Sequence, residues 1–473
     1  MRSILFAIVT LCFTNLLNFN AFAQQVRFSI DTEQMGLEIY ELPPRLDIVA
    51  HSHDKKSVDI VAPRETFEHL QKIGLNPKLI ETQKLAAQED YLNPKEISEK
   101  LKEYAYQYPE MLHLEEIGRS LQGEAIYAAR LSLRNNLESK PAIFFNGMHH
   151  ARELMTTEVT MDIIDYILTR AGSIEHPEIA EWLEHLQIWV VPQINPDGNW
   201  IVWNEDSWWR KNARGDSNSI WGVDLNRNYP YRWGACRGSS SSKGSQTYRG
   251  TAEASEPETR VLMEFAKRIN PVISVSYHSY SELVISPYGC RGHQPTEVSV
   301  LDFVGAPFAK ALVKDSGSGS YAYGPAWDEL YPVDGDDISW LHEHLNTLAY
   351  VVEIGSSKNG FQPDYNTWRD SMVKRQRPGW IFLLNQLMAG PQVRFHFYDS
   401  TTRERIDASV QFAEKKYQAS ERARESRGGF LAKILTPGTH QLRVQAAGYQ
   451  TKDLSTSIRD LPEIIEVYLD PKN

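Results

Sequence analysis

Apolar residues fall along this chain in three different rhythms. Between residues 91 and about 390, short unbroken apolar runs alternate with longer segments whose apolar positions recur every three or four residues. Ala142-Ile143-Phe144-Phe145-Asn146, Ile188 to Val191, Val272 to Tyr277 and Leu348 to Val352 are runs of the first kind. Continuous apolarity over so few residues predicts strands covered on both faces. Ile126 to Leu133 predicts a further strand. Asn93-Pro94 predicts the start of a helix carrying Ile97, Leu101 and Tyr104 on one face, and Thr156 to Thr169 predicts another through Val159, Ile163 and Ile167. Strands that alternate with helices imply an α/β fold built on a mixed, mostly parallel sheet.

The two ends follow other rules. In residues 24–90, Val58-Asp59-Ile60-Val61 predicts a strand, Pro63 to Ile73 a helix with Phe67, Leu70 and Ile73 aligned, and Lys78-Leu79-Ile80 a second strand. Gly74 stops the helix, and the polar residues 81–90 predict an exposed linker. Residues 391–473 alternate apolar and polar positions, as in Val393-Arg394-Phe395-His396-Phe397 and Gln441-Leu442-Arg443-Val444, with turns at Pro437-Gly438 and Gly448-Tyr449. That pattern predicts a small antiparallel β-sandwich. No internal repeat is evident, and 473 residues are too many for one ordinary domain.

The first 23 residues belong to neither kind of element. Arg2, an apolar run from Ile4 to Leu17 and Ala21-Phe22-Ala23 form a secretory signal, with cleavage expected after Ala23. Asn15, Asn18 and Asn20 interrupt the run, which is also too short for a membrane anchor. Cys12 follows Val9-Thr10-Leu11, which lacks the small residues of a lipidation site. The expectation is an exported protein, periplasmic or released, with no membrane span. Export leaves two cysteines, Cys236 and Cys290, which an oxidising compartment permits to pair. Two buried thiols are the alternative. The net charge of −11, without a basic tract, excludes nucleic acid as a natural partner.

Chemistry concentrates just after the apolar strands, where open α/β sheets place their ligands. His150 and Glu153 lie on the loop entering the Thr156 helix, His278 ends the Val272 strand, and Glu353 ends the Leu348 strand. Two imidazoles and a carboxylate can hold zinc and leave a coordination position open, as catalytic rather than structural sites do. A His-x-x-Glu spacing is common, however, and by itself is satisfied by two exposed polar residues at a helix entrance. His149 competes with His150 for the same role.

The order of the motifs is far more specific. Ile117-Gly118-Arg119-Ser120, His149-His150-Ala151-Arg152-Glu153, Asn195-Pro196-Asp197-Gly198, Trp209-Arg210-Lys211, Asp224-Leu225-Asn226-Arg227-Asn228, Ser276-Tyr277-His278-Ser279-Tyr280-Ser281, Leu330-Tyr331 through Trp340, and Glu353 follow one another along residues 91–390. In this order they resemble the zinc carboxypeptidases of the carboxypeptidase A/B and bacterial carboxypeptidase T kind. The resemblance implies one zinc ion held by His150, Glu153 and His278, with Glu353 as general base and Arg210 stabilising the oxyanion. It implies that Asn226 and Arg227 grip the terminal carboxylate of a peptide, that Tyr331 closes over it, and that Arg152 lines the next subsite.

Ile338 matches the base of the specificity pocket, which implies an apolar or aromatic terminal residue. Asp336 implies tolerance of basic ones, unless it belongs to a merely solvated acidic loop. By the same resemblance, residues 24–90 form a propeptide-like segment, 91–390 the catalytic domain and 391–473 a transthyretin-like sandwich. The partners expected are peptides or proteins with a free C-terminus, and the oligomeric state stays open. Trimming of cell-wall peptides is an alternative reaction. An inactive zinc-bound binding protein is an alternative of another class, against which the presence of both Glu353 and Arg210 counts.

Overall fold

The computed structural model describes residues 24–35, 47–51, 56–84, 86–217, 219–295, 298–412, 424–426 and 428–472. The expected signal segment, residues 1–23, lies outside them. Among the described residues no helix is long and apolar enough to cross a membrane.

The first strands, β1 (Gln25–Asp31), β2 (Asp47–His51), β3 (Ser57–Pro63) and β4 (Lys78–Thr82), form one antiparallel sheet in the order β2-β3-β1-β4. The helix Arg64–Lys72 covers it through Phe67 and Leu70, which pack on Val26, Phe28, Val58 and Ile60. Pro63 is its N-cap rather than its first helical residue. The segment after β4 is less detached than its polarity predicts. Ala87 is buried, the Ser207 hydroxyl donates to the Lys84 carbonyl, and Gln83 bonds Asp206.

The second sheet has eight strands: β5 (Leu112–Arg119), β6 (Ala125–Leu131), β7 (Ala142–Gly147), β8 (Gln187–Val191), β9 (Ile273–His278), β10 (Leu283–Ser286), β11 (Ala322–Pro325) and β12 (Leu348–Glu353). Their order is β11-β10-β12-β9-β7-β8-β6-β5. The middle four, β12, β9, β7 and β8, run parallel to one another, and the antiparallel pairings lie toward the edges. β7 and β9 are buried along their whole length, as continuous apolar runs require, because helices cover both faces. The helices Met155–Arg170 and Tyr365–Ala389 lie in the larger core, and Pro257–Ile269 lies in the other. The topology decides the placement of the chemistry. β12, β9 and β7 are neighbours, so their C-terminal ends come out side by side, with Glu353 in register with His278.

The last strands make two packed sheets. β13 (Gln392–Asp399), β16 (Phe430–Ile434) and β19 (Glu463–Leu469) form one, while β14 (Ser409–Phe412), β15 (Arg424–Glu425), β17 (Gly438–Gln445) and β18 (Lys452–Ile458) form the other. β13 and β19 pair in parallel, so the sandwich is not wholly antiparallel. Its own core contains Val393, Phe395, Phe397, Val410, Leu442 and Val444. Phe430, Ala432 and Ile434 face the other way and join the core of the eight-stranded sheet, and Lys433 Nζ donates to Asn346 Oδ1 at 2.7 Å.

A chain ending at residue 390 therefore loses two large buried side chains and an alanine from its main core. At about 1.5–3 kcal/mol for each large side chain, it is expected to be less stable by roughly 3–6 kcal/mol. The thermal unfolding midpoint of the shortened chain measures this. An unchanged midpoint would show that the last 83 residues are a separable appendage.

Candidate metal centre and active site

His150 and Glu153 sit on the loop between β7 and the helix Met155–Arg170, while His278 and Glu353 end β9 and β12. These elements bring His150, Glu153 and His278 together, all buried. His150 Nδ1 lies 2.8 Å from Glu153 Oε1, His278 Nδ1 lies 3.1 Å from Glu153 Oε2, and the two Nδ1 atoms are 3.0 Å apart. A tetrahedral zinc with ligands at about 2.0–2.1 Å separates its donors by roughly 3.3 Å, close to these edges. Two imidazole nitrogens aimed at each other and at a carboxylate suit a cation between them. The residues present fit zinc.

The outer nitrogens of the two imidazoles face polar groups of the fold. His150 Nε2 is 3.3 Å from Asp224 Oδ1, so its proton belongs on that side and Nδ1 offers its lone pair. His278 Nε2 is 3.3 Å from the Ser276 hydroxyl, which donates at 2.9 Å to Asn146 Oδ1, and 3.3 Å from Asn226 Nδ2. Burial, helped by the nearby His150, pushes His278 down to about 4, so it is neutral and able to ligate at neutral pH. Burial opposes the charge of Glu153, but His150 and His278 outweigh it and hold the carboxylate below its ordinary range.

His149 takes another part. It is fully buried, its Nε2 is 3.0 Å from the Tyr229 hydroxyl, and its carbonyl accepts from Asn195 Nδ2 at 3.1 Å.

One cavity collects most of the remaining candidates. His150, Glu153, Arg210, Asn226, Arg227, His278, Tyr331, Asp336, Ile338 and Glu353 all line it. Burial and the neighbouring Glu153 raise the affinity of Glu353 for a proton, while Arg210 and Arg227 pull the other way. Arg210 donates to Asp224 Oδ2 through Nε at 3.1 Å and Nη2 at 3.0 Å. Burial alone would weaken its charge, but Asp224 dominates and keeps the guanidinium protonated.

Asp224 is the residue that sequence reasoning passed over, although its motif was in view. Burial works against its carboxylate, yet Arg210, His150 and Arg227 hold it well below the usual carboxylate range. It also accepts from the Asn226 amide at 3.0 Å, so it aligns a candidate metal ligand, an arginine and an asparagine together.

Arg227 is buried and donates from Nε to the Gly238 carbonyl at 2.9 Å and from Nη1 to the Asn226 carbonyl at 2.7 Å. Asn226 Oδ1 accepts from the Asp337 amide at 3.0 Å. Ile285, Val333, Ile338 and Val351 give the cavity apolar lining, to which Gly289 also belongs. Asp336 also lines the cavity, but its Oδ1 already accepts from the Ser339 amide at 2.8 Å as the N-cap of the helix Asp337–Leu345. Burial raises its pKa.

Arg152 stands apart. Its guanidinium makes two bonds to Asp47 of β2, Nη1 to Oδ2 at 2.8 Å and Nη2 to Oδ1 at 3.0 Å, and lies 3.9 Å above the Phe361 ring. Two residues on, Val49 lines the cavity, and Tyr331 packs on the core of the first sheet. Nothing in the sequence marks Asp47 for this contact. Cys236 and Cys290 are joined in a disulfide.

A family model described as zinc carboxypeptidase matches residues 97–374, more than half of the chain. Zinc carboxypeptidase A 1 of Anopheles gambiae is 30% identical over 278 residues, covering 58% of this chain and 62% of that protein. Metallocarboxypeptidase A of Trichophyton tonsurans is 36% identical over 245 residues, covering 50% of this chain and 57% of that protein. The chain thus spans about three-fifths of the length of these curated relatives. Among solved structures, carboxypeptidase A from Helicoverpa armigera superposes with a TM-score of 0.65 at 24% identity, covering 78% of this chain and 98% of that one. Thrombin-activatable fibrinolysis inhibitor superposes with a TM-score of 0.66 at 20% identity, covering 77% and 99%. At these identities the two structures show the shared fold.

Proposed function

Because the chain belongs to the zinc carboxypeptidase family, we propose that it is an exported zinc exopeptidase that removes the C-terminal residue of peptides, with its N-terminal unit acting as an inhibitory prosegment. The observation that carries this reading is the cavity itself, where a carboxylate with raised proton affinity and two buried guanidiniums face a metal-competent triad.

His150, Glu153 and His278 would hold the zinc, which when bound supplies a Lewis acid for the scissile carbonyl and acidifies water. The protein's own groups do the rest. Glu353 takes the proton of the attacking water and delivers it to the departing amine. Arg210, fixed by Asp224, presents N–H donors to the carbonyl oxygen as negative charge gathers there. Arg227 and Asn226 bind the peptide's terminal carboxylate, which makes a free C-terminus a requirement. Tyr331 lines the same cavity, and its phenol is the group that would close on that terminus.

The apolar wall of Ile285, Val333, Ile338 and Val351 favours an apolar or aromatic terminal side chain. Asp336, which lines the same cavity, supports acceptance of a basic one. The disulfide supports an oxidising compartment and hence export.

The reading is tested with blocked dipeptides ending in Phe, Leu, Lys and Arg, as free acids and as amides, after the N-terminal unit has been removed by limited proteolysis. Removing the metal with a chelator is expected to abolish hydrolysis, and added zinc to restore it. Free acids should be cut and amides spared. Chelator-resistant activity, or equal cleavage of amides, would overturn the assignment.

A further inference from the structure

Asp334 is buried and does not line the cavity, yet it commands the loop that Arg227 leans on. Its carboxylate accepts from three backbone amides of one short segment, Gly234 at 3.2 Å, Cys236 at 3.0 Å and Gly238 at 2.9 Å, and from the hydroxyl of Ser239. A carboxylate offers about four acceptor sites and no donor, so this set uses its capacity. The disulfide Cys236–Cys290 ties the same segment a second time.

The segment's output is the Gly238 carbonyl, which accepts from Arg227 Nε at 2.9 Å. Together with the bond from Nη1 to the Asn226 carbonyl, this commits one edge of the guanidinium to backbone and leaves about three of its five N–H groups for a ligand. The backbone after Asp334 closes the arrangement. Gly335, at φ +70°, donates to the Tyr231 carbonyl and accepts from the Tyr229 amide. A Cβ there would strike the carbonyl of Arg227.

We propose that Asp334 is a positioning residue for carboxylate recognition: through Gly238 it aims the Arg227 guanidinium at the C-terminal carboxylate of the bound peptide. The proposal rests on the exopeptidase reading and deepens it. A bidentate contact is directional, so a guanidinium free to swing loses part of its grip on the carboxylate without altering the proton chemistry at Glu353.

The test uses the zinc-loaded full chain after limited proteolysis, as wild type, D334N, R227A and the double variant. Asn keeps the shape of Asp334 but turns two acceptor sites into donors that face N–H groups. Expected for D334N is a KM raised about tenfold for a free-acid substrate with kcat within about threefold, the pattern of lost uniform binding. Two probes separate aim from general damage. Binding of 3-phenylpropionate should weaken about tenfold, while binding of 3-phenylpropionohydroxamate, which has no carboxylate, should not change. In the R227A background, D334N should have no further effect on either measure.

Equal weakening of both probes, additive effects in the double variant, or no effect of D334N would overturn the proposal. Ser239→Ala, which removes one of the four donors, gives a smaller change in the same direction if D334N folds poorly. If wild type binds 3-phenylpropionate in an Asp334-dependent way but cleaves nothing, the exopeptidase reading fails and the positioning role stands.

Discussion

Glu353→Gln is expected to bind zinc and substrate and to turn over at most about 10⁻³ as fast as the wild type. General acid–base groups contribute about 10²- to 10⁴-fold, and in the proposed mechanism one carboxylate serves the attacking water and the departing amine in turn. Gln has the same shape and can still hydrogen-bond, so the position that Glu353 takes at the end of β12, in register with His278, is kept. What is lost is the ability to take a proton. The loss should fall on kcat, with KM within a few-fold of wild type, because the interaction is made only on the way to the transition state. The pH profile gives a second sign. Burial and Glu153 raise the proton affinity of Glu353, and the group must be ionised to act as a base. Wild-type activity should therefore rise with pH through that ionisation, and the residual activity of the variant should not. A variant that keeps its kcat, or keeps the acid limb, would remove Glu353 from the role.

The candidate ligands and Glu353 were legible in sequence for a simple geometric reason. Each lies at or just past the C-terminal end of an apolar strand, and the parallel centre of the sheet sets those ends side by side. The helices were legible where apolar positions repeat, as at Ile97, Leu101 and Tyr104. What could not be read depends on contacts between distant residues. β5 has no clean alternation because its register shifts between Glu116 and Gly118, and only Leu112 among its eight residues is buried. The sequence boundary at 391 follows a change in pattern, yet Phe430 and Ile434 carry the main core across it. Asp224 and Asp334 are acidic residues like many others until the fold shows which donors surround them. Arg152 was assigned to a substrate subsite, and only the pairing of β2 with β3 brings Asp47 onto it.

That last contact gives the other large effect. In the unprocessed chain, Asp47→Ala is expected to raise peptidase activity about 10²-fold. Both partners of the Arg152–Asp47 pair are almost wholly buried, and the two bonds are parallel and short. Removing one partner of a buried pair costs about 3–5 kcal/mol, because the remaining charge is left without compensation. Here the cost falls on docking of the N-terminal unit, since Arg152 regains water once β2 leaves. About 3 kcal/mol corresponds to roughly 10² in the fraction of open molecules. The other contacts oppose complete release. Val49 lines the cavity, Tyr331 packs on the core of the first sheet, and Arg27 lies 4.7 Å over the Tyr280 ring. Initial rates before and after removal of the N-terminal unit by limited proteolysis make the comparison. Before cleavage the variant should exceed wild type, and after cleavage the two should coincide, because Asp47 has then departed with its strand. Equal rates before cleavage would mean that Asp47 does not hold the unit closed. A difference that persisted afterwards would mean that the substitution acts on the active site itself, and the inhibitory reading of residues 24–90 would fall with it.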